Sequence, residues 1–536
     1  MESAGGYQNE AGPAIRSGGA SVGYPKKCRV VREPGSADRG RFADMHGTLG
    51  KDVKNSESDG KPESGPSAKT ALRVASLFAG IGGFDKAFEA ASATVVAQCE
   101  IDSFCRAVLK RHWPKAKLFE DITKIEPAEF PAADIWTAGF PCQDVSLARG
   151  NHGRDGLKGD HTSLFFELIE LVEAKKPKII VLENVVGLLN SHKGCDFAII
   201  LRELTKHGYA VAWRVLNARY FGAPQSRSRV FMVAWRGDYR RALASLFEPM
   251  RGAQTASERK GFITKTTHAK TGAMVPEVAY CVAATSGRHT GNDWSRSYIS
   301  YKDRVRRPTA NESERLQGFE AGWTVPGKDY REPARGLDSE RYRAVGNAVA
   351  VPVVKWIAQR IAKVAVQKKA DAGRRDFKAE CLLIAPDLAK DTETLRFDDI
   401  MDEVEKGKFV YRWKGCGIAW GNNIVEGATA MAPSKIVKSR FVDLLDDEIP
   451  DDRYFLTPNA AAGILRRADS VGRTLFGPMR EALENMVKSV SAAAPSRATS
   501  GDQQGAKASI RPSRADQRGH PQHDRAASGG AVRVAY

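Results

Sequence analysis

Four clusters of residues in this chain could do chemistry together, and the sharpest is Phe140-Pro141-Cys142-Gln143. Pro141 restrains the backbone ahead of the thiol. Gln143, Asp144 and Ser146 make the loop polar. That is a poor setting for a buried small hydrophobe and a good one for a thiol that reacts as thiolate. Upstream lies a glycine-rich turn, Phe78-Ala79-Gly80-Ile81-Gly82-Gly83. Glycine there lets a backbone pass close to a ligand. Downstream come Glu183-Asn184-Val185, an acid able to protonate a ring, and Gln225-Ser226-Arg227-Ser228-Arg229. Alternate residues of an extended segment share a face, so Arg227 and Arg229 would repel unless they met an anion or carbonyl oxygens. The set amounts to a cofactor pocket, a nucleophile, an acid and a guanidinium pair for a polar substrate.

These groups need elements to hold them. Leu72 to Phe78 reads as a buried strand running into the glycine turn, with a helix over Phe84 to Ala91. A second strand, Thr94 to Gln98, leads to Glu100, about 20 residues past the turn, where an acid can bind a ribose diol. Asp121 follows a third strand region and could accept from an adenine amine. The spacing leaves a nicotinamide dinucleotide and S-adenosylmethionine both open. Phe104 to Trp113 is helical, and Pro114 stops it. Asp134 to Ala138 is the strand before Cys142. Helices follow over Ser163 to Ala174 and Cys195 to His207, with strands at Ile179 to Leu182, Val211 to Val215 and Val230 to Val233. Strands alternating with helices predict an α/β fold with a mostly parallel sheet and helices on both faces. Ligands bind at the carboxyl edge of such sheets, where Cys142 and Glu183 fall.

Beyond Arg236 the pattern fades. From Arg236 through Arg307 there are 14 Lys/Arg against 6 Asp/Glu, with scattered aromatics. Helical character resumes at Asn311 to Gln317 and Val351 to Val364. The expected organisation is a disordered segment over 1–70 and a catalytic and cofactor-binding domain over 71–235. A separate basic region (236–306) and the remainder of the catalytic domain (307–365) follow. A linker (366–376), an accessory domain (377–490) and a disordered basic tail (491–536) complete the chain. The terminal segments carry too few large apolar side chains to offset chain entropy.

With 536 residues and a formal net charge of +18, the chain favours a polyanionic partner. Eight cysteines without a Cys-x-x-Cys pair suit a reducing cytosol and argue against a zinc site, so no metal is expected. The N-terminus lacks the apolar core of a signal peptide, and no apolar run could span a bilayer. A cytoplasmic protein that makes no membrane contact is expected.

The ordered motifs resemble the DNA (cytosine-5-)-methyltransferase family of bacterial or phage type. The resemblance covers Ser76 to Phe84, Gly139 to Ser146, Glu183 to Val185 and Gln225 to Arg229. It continues through Arg307-Pro308-Thr309, Glu314 to Phe319 and Val345-Gly346-Asn347-Ala348-Val349. It implies a Rossmann-like fold, S-adenosyl-L-methionine as cofactor and a target-recognition region over 236–306. Contacts to it would come from Phe78, Gly80, Gly82, Gly83, Glu100, Asp121, Ile122, Pro141, Leu164 and Asn347. Gln143, Ser146 and Gln225 would face the target base. Cys142 would attack cytosine carbon 6, Glu183 would hold or protonate the ring nitrogen, Arg229 would support the carbonyl oxygen and Arg227 would order the loop. Inside a duplex the base is out of reach, so it must be flipped out. The implied partner is double-stranded DNA. A cognate restriction endonuclease is a further partner such an enzyme can have, and monomeric action is expected. Tyr454 to Arg467 resembles an extension of phage or prophage methyltransferases. RNA cytosine methylation and a catalytically silent DNA-binding relative stand as alternatives; the Phe-Pro-Cys-Gln loop and the basic insert favour a DNA-modifying enzyme.

Overall fold

A computed structural model describes residues 71–141, 164–250, 259–287, 295–367, 376–389, 391–428 and 433–493. The segment expected to be disordered over 1–70, the tail from 494, residues 368–375 of the linker, and Cys142, Gln143 and Ser146 lie outside the described residues.

The aliphatic runs form strands where their periodicity predicts. They are β1 (Arg73–Leu77), β2 (Thr94–Cys99), β3 (Lys117–Phe119), β4 (Ile135–Ala138), β5 (Ile179–Val185) and β6 (Tyr209–Asn217). A two-residue β7 (Gln225–Ser226) precedes the long β8 (Ser228–Arg236). Helices α1 (Gly83–Glu89), α2 (Ser103–His112), α3 (Leu164–Lys175), α4 (Cys195–Lys206) and α5 (Tyr239–Leu246) connect them. β1, β2, β3, β4 and β5 pair in parallel, in the order β3-β2-β1-β4-β5, and β8 then inserts antiparallel between β5 and β6.

Successive strand residues point to opposite faces. Ile179 and Val181 join a core that also holds Phe84 and Phe88 of α1 and Leu243 of α5. Ile180 and Leu182 join the core of Leu168 from α3 and Phe197 from α4. Burial on both faces is why these strands read as unbroken aliphatic runs.

The basic stretch over 236–306, which showed no period, contains α6 (Arg259–Ile263), β9 (Lys265–Thr267), β10 (Met274–Pro276), β11 (Ala279–Tyr280), β12 (Ile299–Ser300) and β13 (Val305–Arg306). Strands β13-β12-β10-β9 make a four-stranded sheet, and β11 pairs with β7. Strands of two or three residues are too short to show alternation. The chain returns through α7 (Ala310–Gln317), α8 (Asp338–Asn347) and α9 (Val351–Ala365), and Val351, Val353 and Val354 of α9 share the core of α1 and α5. Thr309 caps α7 with a reciprocal Glu312 bond, as a capping box does.

The region set apart over 377–490 does not stand alone. It comprises α10 (Phe377–Ile384), β14 (Glu393–Arg396), α11 (Phe397–Glu405), β15 (Cys416–Trp420), β16 (Asn423–Gly427), α12 (Pro458–Ser470) and α13 (Gly477–Ala493). β15 pairs antiparallel with β6, and the order β14-β16-β15-β6 extends the central sheet to ten strands among the described residues. Gly417 admits the Trp213 ring, which would lie 2.2 Å from a Cβ at that position. Helices α12 and α13 instead cover Val305 of β13 and Tyr298, the residue before β12. This docking departs from the separate accessory domain expected over 377–490, because β15 and β16 complete a surface that belongs to a strand some 200 residues earlier. Among the described residues, no helix is long and apolar enough to cross a membrane.

Candidate active site

The glycine turn follows β1. Phe78 takes φ +54°, a conformation costly for a residue with a Cβ and one that clusters at functional sites. The three glycines then divide. A Cβ on Gly80 would have nothing within 4 Å, so this residue faces open space. A Cβ on Gly82 would strike the Trp113 ring at 2.2 Å, and one on Gly83 would strike Val349 at 2.7 Å. Gly82 and Gly83, expected as cofactor contacts, also allow close packing, against Leu109 of α2 with the adjoining Trp113 and against Val349 before α9.

Glu100 ends β2 beside the turn. Its Oε2 accepts from the Gly80 N–H at 2.7 Å and its Oε1 from the Asp102 N–H at 2.9 Å. Burial pushes its carboxyl above its ordinary pKa, and these two bonds oppose that. Each oxygen keeps room for a second donor. Ile101, next in the chain, is 58% exposed, an apolar surface at a strand end that the sequence reading passed over. Asp121 Oδ1 accepts from Thr123 N at 3.0 Å and Thr123 Oγ1 at 2.9 Å, capping a short turn. Ile122 buries its side chain in the core of Phe165 and Leu168, so only its backbone is left to meet a cofactor. Leu164 is half-buried at the start of α3, Pro141 is half-buried, and Asn347 is exposed at the end of α8.

The second cluster forms where β5 meets β8. Val185 pairs with Arg229 across the ladder, which brings Glu183 Oε1 within 3.1 Å of Arg229 Nε. The Arg229 Nη1 donates to Ser228 O at 2.8 Å. Asn184 Nδ2 donates to Phe140 O at 2.9 Å, while its Oδ1 accepts from Val185 N at 2.8 Å. Asn184 thereby fastens β5 to the segment that leads to Cys142. Gly139 passes close by: a Cβ there would lie 3.8 Å from Glu183 Oε2.

Two expected site residues point elsewhere. Arg227 is buried and donates to Val282 O at 2.9 Å, Ala348 O at 2.8 Å, Gly346 O at 3.3 Å and Cys281 Sγ at 3.3 Å. Burial first, and then the nearby Arg229, lower its pKa. The expectation that carbonyl oxygens would balance a guanidinium applies to Arg227, which clamps the 281–284 segment to the 346–348 segment and offers no group to a substrate. Gln225, expected to face the target base, is fully enclosed. It donates to Leu316 O and Gln317 Oε1 and accepts from Val282 N at 3.1 Å. A side chain without surface cannot meet DNA. Gly346 completes the crossing, since a Cβ there would overlap the Ala283–Ala284 backbone. No cluster of His, Cys, Asp or Glu among the described residues could hold a metal ion.

The glycine turn, the acid at the end of β5 and the strand entering the Cys142 loop thus share one edge of the sheet. A sequence profile of the C-5 cytosine-specific DNA methylases matches residues 72–265 and 251–363, a span that holds all of them. This chain belongs to the C-5 cytosine-specific DNA methylase family. The type II methyltransferase M2.BsuMI of Bacillus subtilis is 33% identical over 316 residues, which cover 54% of this chain and 76% of that protein. The type II methyltransferase M.NgoBI of Neisseria gonorrhoeae is 32% identical over 305 residues, 52% of this chain and 89% of that protein. A crystal structure of the S. pombe Dnmt2 methyltransferase is 18% identical, with a TM-score of 0.41, over 55% of this chain and all of that one. The protein is a DNA cytosine-5 methyltransferase. Its family and fold imply S-adenosylmethionine as methyl donor. The matched span stops at 363, so the C-terminal strands and helices lie beyond it.

Proposed function

We propose that this methyltransferase modifies a cytosine turned out of duplex DNA, through a covalent bond between Cys142 and carbon 6 of the base. The observation that carries the reading is the Glu183–Arg229 pair, set against the Gly139–Pro141 segment that runs directly into Cys142. Cytosine carbon 5 is a weak nucleophile. The Cys142 thiolate adds to carbon 6 while the Glu183 carboxylic acid passes its proton to ring nitrogen 3, which leaves carbon 5 enamine-like. Glu183, now a carboxylate, accepts from the exocyclic amine. Arg229 keeps Nη2 without a protein partner among the described residues, and it supports the base carbonyl oxygen from there. After methylation, loss of the carbon 5 proton to solvent expels the Cys142 thiolate, ring nitrogen 3 returns its proton to the Glu183 carboxylate, and the neutral aromatic ring is restored. Arg227 positions the two segments that frame this pocket and touches no reacting atom.

The donor site fits the residues present. The free space at Gly80, the spare acceptor capacity of Glu100 and the exposed face of Ile101 suit a nucleoside whose ribose binds Glu100 and whose base rests on Ile101. Asp121 and Asn347 complete that set, with Phe78, Pro141 and Leu164 as apolar neighbours. Bound there, S-adenosylmethionine supplies an electrophilic methyl group.

Both relatives are named type II methyltransferases, which supports a restriction endonuclease of matching specificity as counterpart. One chain carries both the turn and the acid, which supports action as a monomer on cytoplasmic DNA. The test is transfer of tritiated methyl groups to mixed-sequence duplex DNA by wild type and Cys142→Ala. Label at cytosine carbon 5, lost in the variant, is expected. Undiminished transfer by Cys142→Ala, or label entering RNA in place of DNA, overturns the reading.

A further inference from the structure

The extension beyond the family match segregates its charge. Residues 376–405 hold ten Asp/Glu against three Lys/Arg, and residues 441–452 hold six Asp/Glu and no Lys/Arg. Between them, residues 406–440 hold seven Lys/Arg against one Asp/Glu. That single acid, Glu426, is fully buried and accepts from the Tyr411 hydroxyl, so it does not screen the surface. Three of the seven cations have acidic partners: Lys406 with Asp402, Lys414 with Glu393 and Arg440 with Asp443. Lys408, Arg412, Lys435 and Lys438 are exposed and make no ion pair with the described residues.

The pairing of β15 with β6 decides where these cations sit. β15 runs opposite to β6, so its start lies at the carboxyl end of β6: Val215 N donates to Gly415 O at 2.7 Å. The strand's approach, Tyr411 to Lys414, crosses the turn that follows Glu183-Asn184-Val185. Tyr411 N donates to Lys193 O at 2.8 Å, and Trp413 Nε1 donates to Gly194 O at 2.8 Å. Lys193 is itself exposed. Arg412 and Lys414 line a cleft of about 320 Å³ with Val186, Leu189, Asn190 and one acid, Asp391, which leaves the cleft one positive charge in excess; it begins three residues past Glu183. After β16 the chain comes back along the same edge. Val437 N donates to Tyr220 O at 2.9 Å, which sets Lys435 and Lys438 beside the connection from β6 into Gln225–Arg229. Both arms of the basic band therefore flank the Glu183–Arg229 pocket on the edge where substrate enters.

We infer that Arg412, Lys435 and Lys438, with Lys193, form a phosphate-contacting surface that holds the DNA backbone beside the catalytic pocket. Along the chain the acids fall to either side of the band and take up three of its cations, while Arg412, Lys435 and Lys438 keep a net positive charge beside the substrate edge. The inference rests on the DNA-methylating reading above.

The experiment compares the full-length triple variant Arg412→Ala, Lys435→Ala, Lys438→Ala with wild type and with Lys363→Ala, an exposed cation on α9 away from that edge. The probe is a duplex that wild type methylates, so failure of the functional reading would appear first, as no incorporation by wild type. Duplex affinity is then measured across salt concentrations. Each lost phosphate contact flattens the log–log salt slope by about 0.9, so the triple variant is expected to lose about 2.7 of the slope. Its KM for DNA rises, its melting temperature holds, and Lys363→Ala keeps the wild-type slope. A wild-type slope and KM in the triple variant overturn the inference, and so does an equal per-charge loss in Lys363→Ala.

Discussion

The two halves of the central sheet end differently at the same edge. In the parallel half, the carboxyl ends of β1, β2, β4 and β5 run out into the glycine turn, Glu100, Gly139–Pro141 and Glu183. Their side chains keep free surface or spare acceptors there. In the antiparallel half the same edge is closed. Gly415 O takes the N–H of Val215 on β6, Trp213 lies over Gly417, and the chain after β6 turns inward so that Gln225 and Arg227 are sealed. The difference follows from connectivity. A parallel strand must be followed by a crossover, so its carboxyl end opens into a loop available for function. An antiparallel strand meets the start of its neighbour at that end, and the neighbour covers it. Function accumulates where topology leaves the backbone room.

Five substitutions press on that contrast. At the open edge, Glu183→Gln removes the proposed proton carrier at nearly constant shape; kcat is expected to fall roughly 10²- to 10⁴-fold with an unchanged melting temperature. A matching loss of stability would mean that the acid belongs to the fold. At the closed edge, Arg227→Ala strands the carbonyls of Val282, Gly346 and Ala348. Denaturant titration should show a loss of about 3–5 kcal/mol, whereas Arg229→Ala should lower kcat and cost far less stability. Equal stability losses from the two would erase the distinction drawn between them.

Beneath the open edge lies a buried acid. Asp85 accepts from Ser76 Oγ at 2.8 Å, and burial pushes its pKa from 3.8 up to about 7. Between those values the folded chain holds a proton that the unfolded chain has released, so stability falls as pH rises through that window. Asp85→Asn should therefore stabilise the protein at pH 8 by up to about 4 kcal/mol, and the gain should vanish near pH 4. A gain that does not vary with pH would show that this acid is not the titrating group. The smallest effect is expected at Gly417→Val, whose side chain would meet Trp213. A loss of about 1–3 kcal/mol, read from the melting temperature, would show that β15 is part of the sheet's core. No loss would mean that the extension is peripheral.

Much of the parallel half was legible. Ile179 to Leu182 announced a doubly covered strand because four aliphatic residues in a row have no solvent face. The glycine turn and Glu100 were legible because conformation and charge there are properties of single residues. β9 to β13 were not, since two or three residues cannot display a period. Gln225 and Arg227 were misplaced because polarity announces a need for partners without naming them, and theirs lie on segments 54 to 121 positions away.

By itself, then, the sequence determined the α/β class, the family and the order of the reacting groups, since these rest on local pattern and on residue chemistry. Only the tertiary structure decided which glycine faces open space and which faces a tryptophan. It also decided which arginine meets Glu183, and that a segment beyond the family match completes the sheet. Those outcomes depend on contacts between distant parts of the chain, where packing and carbonyl geometry decide the role of residues that composition leaves alike.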